Sequence, residues 1–205
     1  MNNLLMEQTY PKSVISISKI ISNFFNPFTS LIIYFIYSSS IDYTFTEAID
    51  RFLPILLLTV LPIVIWIVWN VKKGRYSNMD VSNRNQRKSL YFFIAGCMMV
   101  YLLYDYYSND TLDLIMFFLL ILLWVLQFSN YFIKSSMHTA FNVYVAALFF
   151  YRDPTWGLAW LIIAALVGIT RVILRRHTLK EVLTGGTLAL IVSFIYLYSA
   201  LQSNH

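Results

Sequence analysis

Long runs of apolar residues, separated by short polar segments, dominate the chain. A transmembrane helix needs about 20 mostly apolar residues to cross a hydrocarbon core about 30 Å thick. By that measure the sequence predicts crossings, in chain order, at residues 19–39, 52–71, 89–107, 112–132, 138–151, 155–174 and 182–201. We therefore predict an all-α fold, a polytopic membrane bundle of six transmembrane helices, or of seven if the first segment crosses.

The N-terminal region allows two arrangements. Asn26-Pro27 interrupts the first predicted crossing, and the stretch from Lys12 to Phe25 is amphipathic. Residues 1–25 are therefore expected either to lead into a crossing or to lie on the membrane surface as an interfacial helix. The first eleven residues contain Glu7 but no Lys or Arg, so we expect no cleaved signal peptide. All loops are too short to fold alone, and residues 1–205 are predicted to form one integral-membrane domain.

Composition excludes several classes of protein. Hydrophobic residues make up 59% of the chain and charged residues 12%, about half the charged share of a soluble domain. The net charge of +5 is scattered between apolar runs, so the sequence does not indicate nucleic-acid binding. Cys97 is the single cysteine, which excludes a disulfide framework and a cysteine-based zinc site.

The Lys and Arg residues are distributed unequally when the predicted crossings are folded alternately. Of 15 such residues, one face receives only Arg51 and Arg152. The other face receives Lys12, Lys19, Lys72, Lys73, Arg75, Arg84, Arg87, Lys88, Lys134, Arg171, Arg175, Arg176 and Lys180. The positive-inside rule assigns this basic face to the cytoplasm. The compact loops and the lack of targeting features favour a bacterial plasma membrane.

Two histidines on the basic face indicate a possible reaction chemistry. His138 and His177 both lie near helix starts, where free backbone N–H groups and nearby arginines suit a phosphate. One imidazole can attack phosphorus to form a phosphohistidine, while the other protonates the departing oxygen. Glu181, four residues after His177, can hold the ring N–H of that histidine. We therefore predict His177 as the nucleophile, Glu181 as its orienting carboxylate and His138 as the general acid.

No metal and no other cofactor is required by this chemistry, because arginines can neutralise the phosphoryl charge. A zinc site formed by His138, His177 and Glu181 is the alternative. The arginines that flank these residues disfavour it, since they would repel a cation.

The same residues carry a resemblance to a known family. Residues 170–181 read Thr-Arg-Val-Ile-Leu-Arg-Arg-His-Thr-Leu-Lys-Glu. This segment resembles the third motif of the type-2 phosphatidic acid phosphatase superfamily, which is Ser-Arg, five residues, His, three residues, Asp. Residues 135–138, Ser-Ser-Met-His, are similar to the second motif, Pro-Ser-Gly-His. The first motif is a Lys followed after six residues by Arg-Pro, and the loop at residues 80–88 offers Arg84 and Arg87 for it.

The resemblance covers roughly residues 72 to 200 and implies a six-helix membrane phosphatase. It assigns His177, His138 and Glu181 the roles given above. It further implies that the phosphate is bound by Arg171, Ser136, Thr170, Arg84 and Arg87. The expected partner is a lipid in the bilayer that carries a phosphomonoester, or a polyprenyl diphosphate.

The departures from the family pattern define two alternatives. Met137 stands where the second motif has glycine, and neither Arg84 nor Arg87 has the expected Lys before it or Pro after it. The chain could instead be a catalytically silent relative that binds lipid phosphates or a partner protein, or a phosphotransferase with an alcohol acceptor. A transporter or channel is disfavoured, because the polar cluster lies at a membrane face and not at mid-span.

Overall fold

The computed structural model describes residues 10–81 and 83–202, and all regular structure within those ranges is helical. The helices are α1 (Lys12–Phe24), α2 (Pro27–Asp42), α3 (Phe45–Ile55), α4 (Leu61–Lys72), α5 (Arg84–Asn109), α6 (Leu114–Ser129), α7 (Met137–Arg152), α8 (Pro154–Ile173) and α9 (Leu179–Gln202). A π-helical turn, Leu56–Val60, joins α3 to α4. The predicted all-α fold is confirmed. The first nine residues of the predicted N-terminal segment lie outside the described residues.

Fewer helices than predicted have the length and apolar character of a membrane crossing. Within the described residues, four qualify: the continuous stretch Phe45–Lys72, α5, α8 and α9. The pair α1 and α2, bent by 56°, makes a fifth if it is counted as one span. Six or seven crossings are thus not confirmed. Helices α6 and α7 have 16 residues each, which is about 24 Å of helix and less than a full bilayer core.

Helix α7 lies at the centre of the bundle. Every residue from Thr139 to Phe149 is buried, and the helix packs against α2, α8 and α9. Large apolar side chains on the outer helices face outwards instead, among them Ile36, Phe128 and Phe194. A bundle with this many exposed apolar side chains suits a lipid environment better than water.

The break between α1 and α2 has a local and a tertiary cause. Pro27 begins α2, and the Asn26 side chain caps it by accepting hydrogen bonds from two backbone N–H groups. The carbonyl of Phe25 is thereby left without a helical partner. It accepts a hydrogen bond of 2.9 Å from the buried Asn142 side chain of α7, whose Oδ1 accepts another from Ser30. The predicted crossing at residues 19–39 therefore consists of two helices.

Because successive helices run back and forth, the loops collect at two ends of the bundle. Loops 73–83, 130–136 and 174–178, together with the C-terminal end of α1, form what we call the basic end. Loops 43–44 and 110–113 and residue 153 form the acidic end. The residues predicted to carry chemistry lie at the basic end or within the first or last turn of the helices that meet there.

Candidate active site

His177 lies in the turn between α8 and α9 and is held by the first turn of α9. Its Nδ1 is 2.9 Å from Glu181 Oε2, which also accepts a hydrogen bond from Thr178 N. Glu181 N in turn donates to Thr178 Oγ1, and these two hydrogen bonds form a capping box at the start of α9. A carboxylate can only accept, so Nδ1 is the protonated nitrogen of the ring. Nε2 of His177 is therefore the unprotonated nitrogen, and its lone pair can accept a hydrogen bond.

Arg87, near the start of α5, directs its guanidinium at that nitrogen. Its Nη2 donates to His177 Nε2 at 3.2 Å, while Nε donates to the Val81 carbonyl at 3.1 Å and Nη1 to the Ser135 carbonyl at 3.0 Å. The side chain is buried. Arg87 thus connects all three loops of the basic end and covers the unprotonated nitrogen of His177.

Arg171, in the last turn of α8, lies beside this pair and is also buried. Its Nη2 donates to Asp80 Oδ2 at 2.6 Å, and its Nη1 donates to Ser22 Oγ of α1 at 3.0 Å. The other carboxylate oxygen of Asp80 is 3.5 Å from His138 Nε2. Asp80 therefore lies between the predicted phosphate ligand Arg171 and the predicted acid His138.

Burial and charge set the protonation of the loop residues in this cluster. Burial, followed by the positive charges of Arg87 and Arg171, lowers the pKa of His177 to about 2. Burial alone would raise the pKa of the Asp80 carboxyl, but His138 and Arg171 outweigh it and hold the pKa below its ordinary value. At neutral pH the site thus contains a neutral His177 and an ionised Asp80.

Ser136 links α7 to α9 beneath the cluster. It is fully buried and caps α7, and its hydroxyl accepts hydrogen bonds from Thr139 N and Thr139 Oγ1. Its backbone N–H donates to the Glu181 carbonyl at 3.1 Å. Gly185 permits this close approach, because a Cβ there would come 2.7 Å from the Ser136 carbonyl oxygen. In this arrangement the Ser136 hydroxyl is engaged in capping.

Two other predicted phosphate ligands donate to backbone carbonyls outside the cluster. Thr170 Oγ1 donates to the Val167 carbonyl of its own helix at 2.7 Å. Arg84 donates through Nε to the Asn130 carbonyl at 2.6 Å and through Nη2 to the Tyr131 carbonyl. The structure therefore brings Arg87, His138, Arg171, His177 and Glu181 together, whereas Arg84 ties α5 to the end of α6.

Sequence reasoning did not single out two members of the cluster. Asp80 lies seven residues before Arg87, which is the position of the lysine in the first family motif, and that spacing was the available signal. Ser22 follows Ser18 by one helical turn on α1, and both are buried. Serines four residues apart on an amphipathic helix indicate a polar face, but not the residue that this face contacts.

A cavity of about 490 Å³ adjoins the cluster. His138, Asp80 and Met79 line it at the basic end, and Leu31, Phe35 and Met98 line it deeper in the bundle. Most of the remaining lining residues are apolar, so the cavity connects the charged cluster with the apolar interior. Its size lies within the usual range of ligand pockets.

No family model, curated protein or solved structure matches this chain. Within the part of the chain that the structure describes, no group of three His, Cys, Asp or Glu side chains is arranged to hold a metal ion. The chemistry of the cluster and of the adjoining cavity is therefore the basis on which a function is inferred.

Proposed function

We propose that the protein is a metal-independent lipid phosphatase of the membrane, acting on a lipid phosphomonoester or diphosphate through a phosphohistidine at His177. The observation that carries this proposal is the orientation of His177. Glu181 holds its Nδ1–H, and its unprotonated Nε2 faces the buried Arg87. A neutral imidazole next to arginines combines a nucleophile with a binding site for the phosphoryl group that it attacks.

The reaction would proceed in two steps. In the first, Nε2 of His177 bonds to phosphorus and the bond from phosphorus to the lipid oxygen breaks, while His138 donates a proton to that oxygen. In the second, His138 takes a proton from water, whose oxygen bonds to phosphorus and releases His177. Arg87 and Arg171 would hold the phosphoryl oxygens in both steps.

The contacts of the cluster fit the resemblance to the type-2 phosphatidic acid phosphatases. Residues of the second-motif and third-motif segments meet across the α7–α9 contact, where Ser136 N bonds to the Glu181 carbonyl. The contact of Arg87 with His177 supports Arg87 as the counterpart of the first-motif arginine. In that register Asp80 stands at the lysine position and Lys88 at the proline position.

The adjoining cavity supports a lipid substrate. A head group bound between Arg171 and His138 would direct its tail towards the apolar residues that line the cavity from α2 and α5. We further propose that the protein is integral to a bacterial plasma membrane with its basic end in the cytoplasm, as the excess of Lys and Arg there favours. A cytoplasmic site would suit an intermediate of phospholipid synthesis.

The test is phosphate release from a panel of lipid phosphates by the detergent-purified full chain in the presence of EDTA. We expect turnover by the wild type and its loss in His177→Ala, with Asp110→Asn at the acidic end as the control that keeps activity. Quenching in alkali should trap a phosphoenzyme in the wild type that is stable in base and is hydrolysed in acid, as a P–N bond is. Activity that persists in His177→Ala would place the chemistry elsewhere.

One observation favours a second candidate, a catalytically silent relative that binds lipid phosphates. The carboxylate of Asp80 accepts a hydrogen bond from Arg171, the residue that a phosphate would need. This candidate predicts that lipid phosphates bind to the wild type and are recovered unchanged. The assay above, followed by extraction of the lipid, separates the two candidates.

A further inference from the structure

The carboxylate of Asp80 occupies the place of an anion in the candidate site. Its Oδ2 accepts from Arg171 at 2.6 Å, and its Oδ1 is 3.5 Å from His138 Nε2. The guanidinium of Arg87 is engaged as well, by two backbone carbonyls and by His177. A phosphate that binds between Arg171 Nη2 and His138 must therefore replace Asp80 there.

The backbone beside Asp80 is held in an unfavourable conformation. Val81 is fully buried and has a φ of 44°, in the left-handed region that a β-branched residue rarely adopts. Its carbonyl accepts the hydrogen bond from Arg87 Nε. Asp80 is therefore held by the hydrogen bond from Arg171, and the carbonyl of Val81 by that from Arg87, against the backbone preference of Val81. Loss of those contacts would allow the loop to relax.

The segment that carries Asp80 also borders the apolar cavity. Met79 and Asp80 line the same cavity as His138 and the apolar residues of α2 and α5. A hydrocarbon chain in the cavity makes packing contacts that an inorganic phosphate lacks, and for a ligand taken from water it also gains the free energy of apolar burial. Binding free energy from such a remote part of a ligand can offset the cost of a rearrangement at the reacting group.

We infer that Asp80 is a specificity-determining residue, whose carboxylate competes with phosphate for Arg171 and excludes phosphates that have no hydrocarbon tail. A lipid phosphate displaces Asp80 because its tail fills the adjoining cavity, whereas a small phosphate does not. Competition by an internal group is a way to reject a ligand that shares the recognised head group. The inference rests on the proposed function for its substrate, but its binding test does not require turnover.

The first experiment measures binding to the detergent-purified full chain by calorimetry, with inorganic phosphate and dodecyl phosphate as probes. The wild type is expected to bind dodecyl phosphate at least 100-fold more tightly than inorganic phosphate. Asp80→Asn keeps the size of the side chain and removes its charge, so its affinity for inorganic phosphate should rise at least tenfold. Asp110→Asn, at the acidic end, should leave both affinities unchanged.

Two results would overturn the inference. One is equal binding of inorganic phosphate and dodecyl phosphate by the wild type, a measurement that needs no variant. The other is unchanged affinity of folded Asp80→Asn for inorganic phosphate. Since loss of the charge leaves buried Arg171 without its counter-ion, thermal unfolding of each variant is recorded first. Asp80→Ser, which also removes the carboxylate, is the second variant if Asp80→Asn does not fold.

A second experiment compares turnover of a lipid phosphate with that of p-nitrophenyl phosphate. In Asp80→Asn the preference for the lipid, as a ratio of kcat/KM values, should fall at least tenfold, because kcat/KM for p-nitrophenyl phosphate rises relative to that for the lipid. An equal loss of kcat on both substrates would instead make Asp80 a positioning residue for His138 and overturn the inference. If no protein turns over any substrate but Asp80→Asn binds phosphate more tightly, the phosphatase proposal fails and the competition by Asp80 stands.

Discussion

The two ends of the bundle differ in how their arginines are buried and paired. At the acidic end Arg152 of α7 pairs with Asp42 of α2, at 3.1 Å between Nη1 and Oδ1, and both side chains are partly exposed. At the basic end Arg87 and Arg171 are both buried, and among their described contacts Asp80 is the carboxylate that faces them. The acidic end pairs a cation with an anion near solvent. The basic end holds an excess of positive charge that is buried away from solvent.

The difference in burial is what distinguishes a structural ion pair from a cluster that suits a ligand. A partly exposed pair contributes little to stability and demands little from its surroundings. A buried arginine is costly unless hydrogen bonds satisfy it. Backbone carbonyls accept from Arg87, and Ser22 and Asp80 accept from Arg171, whose Nε has no hydrogen-bond partner among the described residues. An excess of buried positive charge held in this way is suited to an anionic ligand.

The largest difference is expected when the same substitution is made at an arginine of each end. Arg171→Lys retains the charge opposite Asp80 but loses the planar fork that binds two oxygens at once. We expect kcat/KM on a lipid phosphate to fall about 100-fold, while Arg152→Lys stays near the wild type. Steady-state phosphate release measures both variants. Equal losses in the two variants would mean that the basic end has no special role.

A second substitution tests whether Glu181 orients His177 or only caps α9. In Glu181→Gln the side chain can still accept from Thr178 N and cap α9, but it no longer holds His177 as an anion. We expect kcat to fall about 10- to 100-fold with little change in thermal midpoint. A lower midpoint together with an unchanged kcat would assign Glu181 to the helix cap alone.

The helix contact beneath the site can be tested with two adjacent glycines. A Cβ at Gly185 would come 2.7 Å from the Ser136 carbonyl oxygen, whereas one at Gly186 would make only an ordinary contact of 3.9 Å with Thr139. Gly185→Ala should lower the free energy of unfolding by about 1–3 kcal/mol. Gly186→Ala should be neutral or raise it by up to about 1 kcal/mol. Denaturant unfolding in detergent measures both, and equal effects would contradict the close approach.

The smallest expected effect is on stability as a function of pH. The pKa of His177 is lowered to about 2 in the folded protein and is about 6.5 when the chain is unfolded. The unfolded state therefore binds a proton more readily below pH 6.5, and stability falls as the pH decreases from there. Between pH 7.5 and 5 the loss should be about 1–2 kcal/mol for this residue. Thermal unfolding of His177→Gln should show a smaller loss, and an equal loss would contradict the assignment.

Local features of the site and of the fold were predictable from the sequence. The predicted crossing at residues 155–174 corresponds to α8 (Pro154–Ile173), because a run of about 20 apolar residues suffices to predict it. The pairing of His177 with Glu181 follows from their spacing of four residues across the first turn of α9. By contrast, the six or seven predicted crossings are not confirmed, since apolar runs do not reveal that α6 and α7 end after 16 residues.

Only the tertiary structure decided which residues complete the site. Arg87 is 90 positions from His177, Asp80 is 91 positions from Arg171, and Ser22 is 149 positions from Arg171. Arg84 and Arg87 are equivalent candidates in the sequence, and the packing of α5 against the loops directs Arg87 to His177 and Arg84 to the end of α6. Helical periodicity encodes neighbours three or four residues apart, whereas contacts between distant segments depend on how whole helices pack.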